Sequence, residues 1–149
     1  MNRRGFTIIE LLLAMTIMGI LTAIAVPNYQ YAKLRADAAK VISDFEVIRV
    51  AAYDNYAATG LFPKKRGWGA VPPEFVGSLP EGFEFEYKNV RYRWRRWALP
   101  NGMPRNRRQE VLLGVQIRTN DADLLRIIKN TYRGAQAQGN NRRVTFVIE

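Results

Sequence analysis

The sequence predicts an α+β protein: one long N-terminal helix laid on a small antiparallel sheet of three or four strands, with a short helix near the C-terminus. Three observations carry that prediction. Phe6 to Val26 is an apolar block with a single ionisable side chain, Glu10. Beyond it an apolar stripe keeps the helical period as far as Ala52, and past Gly82 three segments alternate apolar and polar residues with a period of two.

The first block, as a helix rising about 1.5 Å per residue, is roughly 31 Å long and matches the hydrocarbon thickness of a bilayer. Leu34, Ala38, Val41, Phe45, Ile48 and Ala52 then alternate spacings of four and three, which puts them on one face. Ala36, Asp37, Lys40, Asp44 and Arg49 fall largely off that face. One helix is therefore expected from about Phe6 to Ala58, ended by Thr59-Gly60. Pro27 lacks the N–H for the i→i−4 bond and predicts a kink or local melting; Gly19 upstream weakens the helix by about 1 kcal/mol relative to alanine.

Leu61 to Gly82 holds four prolines and four glycines and reads as loop, with Phe62, Trp68, Phe75 and Leu79 tucked onto the core. Phe83, Phe85 and Tyr87 alternate with charged residues, as do Val90, Tyr92 and Trp94 with Arg91, Arg93 and Arg95. The phase slips at Lys88-Asn89, predicting a tight turn or bulge. Leu99 to Arg108 reads as an exposed connection, and Val111 to Arg118 as a strand. Asp121 to Arg133 has helix logic, with Asn120 or Asp121 as cap and Gly134 as stop. Gly134 to Asn141 reads as a polar loop and Arg143 to Glu149 as the last strand.

The start of the chain, with Arg3 and Arg4 before the apolar block, admits two plain readings. A secretory signal has an apolar core of about 7–15 residues, and this block is longer and lacks a small-x-small site at its end. A signal anchor held by Arg3 and Arg4 in the cytoplasm satisfies the positive-inside rule. Neither explains Glu10, because a carboxylate in a membrane helix costs on the order of 2.5–3.5 kcal/mol and usually has a partner. No Lys, Arg or His lies between Phe6 and Lys33, so the partner is expected from another chain or from an amine created at the N-terminus.

Arg4-Gly5-Phe6-Thr7-Ile8-Ile9-Glu10-Leu11-Leu12, with its apolar continuation, resembles the class III leader and methylation motif of type IV pilins and type II secretion pseudopilins. The resemblance covers about the first fifth of the chain. It implies a pilin-like fold, a leader over residues 1–5, a transmembrane and assembly segment over 6–27, and a periplasmic globular domain over 28–149. It implies that a prepilin peptidase cuts after Gly5 and N-methylates Phe6. Phe6, Thr7 and Glu10 would then serve subunit assembly, and Gly19 to Pro27 would melt as the subunit leaves the bilayer. Implied partners are homologous subunits, the prepilin peptidase and an inner-membrane assembly platform. The expected location is the bacterial inner membrane, with the N-terminus cytoplasmic, and then a filament. The small domain, the short leader, the absence of cysteine and the loose likeness of Gly60-Leu61-Phe62-Pro63 to a pseudopilin Gly-x-Tyr-Pro element favour a type II secretion pseudopilin. The alternatives are a DNA-binding minor pilin and an anchored periplasmic protein that never polymerises.

The charge is +10, from 23 Lys and Arg against 13 Asp and Glu. Arg91, Arg93, Arg95 and Arg96, interleaved with Tyr92, Trp94 and Trp97, would suit nucleic acid through phosphate contacts and stacking. They would equally suit a solvated strand face, or docking to Asp37, Asp44, Glu46 or Asp54 of a neighbouring subunit. The chain has no histidine and no cysteine, which removes imidazole acid–base schemes, thiol nucleophiles and Cys/His zinc sites. Nor is there a phosphate-loop motif. No enzyme activity, metal or cofactor is expected; Asp121 and Asp123 are too few for calcium and read as helix caps.

Overall fold

A computed structural model describes residues 6–98, 111–132, 135–136 and 142–148. The expected leader, the connection carrying Arg105, Arg107 and Arg108, and the stop at Gly134 lie outside these residues. Helix α1 runs unbroken over Ile8–Thr59, with Pro27 inside it. Thr7 caps its start, one residue past the expected first residue. Gly60 ends it in the left-handed region (φ 72°), its N–H donating to the Tyr56 carbonyl at 2.8 Å; glycine takes that conformation without a Cβ penalty.

The chain then gives a short 3₁₀ turn at Pro73–Phe75, β1 (Glu86–Tyr87), β2 (Val90–Ala98), β3 (Val111–Arg118), α2 (Ala122–Thr131), β4 (Ala135–Gln136) and β5 (Arg143–Ile148). The strands form one antiparallel sheet in the order β1-β2-β3-β5-β4. The fold is α+β, a long helix on an antiparallel sheet with a short second helix, as the patterning predicts.

Three boundaries differ from expectation. The strand expected over Phe83–Tyr87 contracts to β1, since Gly82 (φ 75°) and the Phe83 N–H to Pro80 carbonyl bond make a turn instead. The β2 edge beyond β1 is taken by the loop, through Gly69 N–H to the Tyr92 carbonyl at 2.9 Å and Arg66 N–H to the Trp94 carbonyl at 3.4 Å. Inside the expected polar loop, β4 adds a two-residue pairing to Thr145 and Phe146. The third difference is α2, which stops at Thr131, two residues early, with the Tyr132 N–H donating to the Ile128 carbonyl. The phase slip resolves as a two-residue Lys88-Asn89 turn, Lys88 sitting at φ 53°.

The core lies between one side of α1 and one face of the sheet. Ala38, Val41, Phe45, Ile48 and Ala52 are buried as the periodicity predicts, with Leu34 half-buried beside them. Tyr92 and Trp94 from β2, Val115 and Ile117 from β3, Val144, Phe146 and Ile148 from β5, and Leu124, Leu125 and Ile128 from α2 complete it. Phe45 packs on Phe146 (4.7 Å) and Tyr132 (5.4 Å), and Trp94 edge-on to Phe75 (5.3 Å). Two hydrogen bonds satisfy its polar atoms: Trp94 Nε1 donates to the Pro63 carbonyl and the Tyr92 hydroxyl to Asp44, both at 2.9 Å. Nearer the membrane half, Lys88 and the Tyr87 hydroxyl both donate to Asp37, clasping the β1–β2 turn to α1. Lys88, by donating its bond, holds the Asp37 carboxyl below the ordinary carboxylate range.

Candidate assembly segment

No part of α1 before Pro27 is buried. Phe6 is 88% exposed, and Ile8 to Val26 presents large apolar side chains all round. In length and composition this stretch can cross a membrane. Water would not tolerate such a surface uncovered. The stretch therefore belongs in lipid or against other apolar helices, whereas a helix with one apolar face would have folded onto its own domain.

At its head Thr7 and Glu10 form a capping box. The Thr7 hydroxyl accepts from the Glu10 N–H at 3.2 Å, while the Thr7 N–H and hydroxyl both donate to Glu10 Oε2 at 2.9 Å. The sequence reasoning looked for a cationic partner and overlooked this one, although threonine three residues before glutamate ahead of an apolar run is its signature. The correction is partial in physical terms. Two hydrogen bonds desolvate the carboxylate more cheaply, yet neither brings a positive charge, so the formal charge stays uncompensated within α1. Phe6 lies beside this box and Gly5 outside the described residues. Gly19 and Pro27 are both helical, and a Cβ on Gly19 would meet nothing within 4 Å.

The arginine group divides. Arg91, Arg93 and Arg95 stand on the sheet face away from the core, while Arg96 follows the opposite alternation and donates to the Phe62 carbonyl at 3.4 Å. Tyr92 and Trp94 are buried, so they do not interleave with the arginines on one surface. In their place the loop brings Trp68, whose ring lies 4.3 Å from the Arg93 guanidinium and 5.8 Å from that of Arg143. The acidic docking candidates are mostly engaged within the chain: Asp44 is buried with Lys40 and Tyr92, Asp37 holds Lys88, Glu46 pairs with Arg49, and Asp54 accepts from Ser78. Asp121 caps α2 through the Leu124 N–H at 2.9 Å, whereas Asp123 pairs with Arg126 instead of capping. No group of three or more potential metal ligands occurs among the described residues.

The chain therefore has an exposed membrane-length helix, headed by a Thr–Glu capping box and continued by an amphipathic half on a small sheet. Residues 1–26 match the family described as Prokaryotic N-terminal methylation motif. The chain is 35% identical over 71 residues to Type IV major pilin protein PilE1 of Neisseria gonorrhoeae, covering 48% of this chain and 33% of that one. It is 42% identical over 50 residues to Type II secretion system core protein G of Klebsiella michiganensis, covering 34% and 35% respectively. A Fimbrial protein of Pseudomonas aeruginosa is 40% identical over 50 residues, covering 34% and 32%. The chain thus spans about a third of the length of these curated relatives. No solved structure matches. Over its N-terminal part the chain is thus similar to type IV pilins and to a type II secretion core protein.

Proposed function

We infer that this chain is a structural subunit of a pilin-like filament, used as a pseudopilin of a type II secretion system. The carrying observation is that the first half of α1 has no tertiary partner among the described residues while its head presents a carboxylate that no cation of α1 compensates. A bilayer satisfies the apolar surface before assembly, and neighbouring helices satisfy it afterwards. Cleavage after Gly5 would leave an ammonium on Phe6, about one helical turn from Glu10 and within reach of a neighbour's Glu10. Thr7 holds the carboxylate until that cation arrives. Methylation of Phe6 keeps the charge. The membrane half is anchored in the inner membrane with the globular domain on the periplasmic side, and the prepilin peptidase and assembly platform act on it there. The cysteine-free small domain and the likeness of Gly60-Leu61-Phe62-Pro63 to a pseudopilin element support secretion over an adhesive pilus.

The test is co-expression of the full chain with a prepilin peptidase and assembly platform, followed by mass measurement and filament shearing. Wild-type protein is expected to lose residues 1–5, gain a methyl group and enter sheared filaments. Glu10→Ala is expected to be inserted and cleaved normally, yet to fall at least tenfold in filaments, since losing one partner of a buried ion pair costs about 3–5 kcal/mol. An unshifted wild-type mass would remove the processing claim, and normal filaments from Glu10→Ala would remove the pairing claim. Processed protein that never leaves the membrane fraction would leave only the anchored, non-polymerising reading.

A further inference from the structure

The outer face of the sheet carries a cation cluster that the filament role does not use. The register sets Arg91, Arg118 and Arg143 side by side on three adjacent strands. All three are exposed, and at about 4.8 Å between strands they form a row roughly 10 Å wide. Arg93 and Arg95 extend the cluster along β2 by roughly 13 Å from Arg91. Arg91 has a carboxylate partner in Glu86 at 3.2 Å, but no carboxylate lies within salt-bridge distance of Arg93, Arg118 or Arg143 among the described residues. Burial, then the charges of Arg95 and Arg143, pull the Arg93 guanidinium below its ordinary pKa. Trp68, half-buried, sits among them.

We propose that this face binds the phosphodiester backbone of a nucleic acid, with Arg93, Arg118 and Arg143 taking phosphates and Trp68 holding the guanidinium planes in place.

Two other anionic partners fit less well. Lipid headgroups lie out of reach: Tyr87 touches α1 at Asp37 and Tyr92 touches it at Asp44, which sets the face roughly 16–27 Å along the helix beyond Val26. A second copy of the chain is a weaker acidic partner: Asp37, Asp44, Glu46, Glu86 and Asp123 are ion-paired internally, and the exposed Glu81 and Glu84 offer two carboxylates against five arginines. A flexible or rod-like polyanion reaching the lateral face matches both its height and its charge.

The experiment uses the full chain in nanodiscs of zwitterionic lipid, so binding is read without filament assembly and its failure is separable from that of the filament role. A fluorescent random-sequence 25-mer, single-stranded in one arm and duplex in the other, is titrated by anisotropy at several salt concentrations. Wild-type protein is expected to bind at least one form, with a log–log salt slope of about −2 to −3 for three phosphates. The Arg118→Gln/Arg143→Gln double variant should weaken binding at least tenfold at low salt and reduce that slope by about two, while the control Arg126→Gln on α2 should leave both unchanged. Absence of binding at low salt overturns the proposal, as does an equal loss in the control, which would mean net charge alone. Binding to phosphatidylglycerol vesicles or poly-glutamate with the same Arg118/Arg143 dependence, and none to the oligonucleotides, overturns it in favour of that partner.

Discussion

The two parts of α1 on either side of Pro27 are continuous in backbone, yet one is exposed on every side and the other is buried along a stripe. Before Pro27 large apolar side chains lie on every side, with Glu10 the one charge; after it Ala38, Val41, Phe45, Ile48 and Ala52 are buried while Lys33, Lys40 and Arg49 face out. Helix formation is common to both, so the backbone does not make the difference. The distribution of polar residues does: a stripe can be covered by one small sheet, whereas a cylinder needs lipid or a bundle. The second half is thus stabilised by its own chain and the first by its surroundings.

Substitutions in the second half should act on folding of the domain, and those in the first on assembly. The largest stability effect is expected at Trp94, which fills the space beside Phe75 and donates to Pro63. Trp94→Ala should lower unfolding free energy by about 3–5 kcal/mol in denaturant titrations followed by near-UV circular dichroism, whereas Leu13→Ala, in the exposed half, should leave the domain transition in place. A domain transition equally sensitive to Leu13→Ala would break the contrast.

A middle effect is expected at Tyr92. Burial, the Asp44 charge and the hydrogen bond to Asp44 raise its pKa well above the ordinary value. The folded state keeps the phenol protonated after the unfolded chain has begun to lose the proton near pH 10. The stability this provides is whole below that pH and falls as pH rises above it. Tyr92→Phe should cost about 1–3 kcal/mol at neutral pH, because Asp44 loses a donor, and should flatten the alkaline decline. A decline as steep in the variant would assign it to other groups.

The smallest change in energy sharpens the comparison from the other side. Gly19→Ala adds a methyl into open space and should stabilise the first half by about 1 kcal/mol, with no change in the domain transition. If Gly19 to Pro27 must melt as subunits enter the fibre, sheared filaments should fall severalfold while insertion and cleavage continue. Unchanged filament yield would dissociate Gly19 from any melting.

Much of this was legible along the chain. The long helix, its buried stripe, the β2 and β3 strands and the motif at Gly5 to Glu10 all follow from near-neighbour patterns, because periodicity and caps are local properties. Phe83 to Phe85 departs from the expected strand because alternation reports burial and not pairing: Phe85 is buried and Phe83 packs against the core while the chain there turns. The Thr7–Glu10 box was legible and overlooked, the search being set for charge. Arg118 and Arg143 beside Arg91, and Trp68 upon Arg93, could not be read, since strand register and loop placement join residues tens of positions apart.

The sequence by itself determined that a membrane-length apolar helix heads the chain, that it carries one carboxylate, and that an amphipathic continuation needs a sheet to cover it. Hydrophobic period and composition are enough for that. Only the tertiary structure decided which charges remain available: Asp44, off the predicted stripe, is buried under Tyr92, and Arg96 is turned away from its neighbours on β2. The reason is that a charge is spent or spared by whatever long-range packing brings within a few ångströms of it, and no spacing along the chain reports that distance.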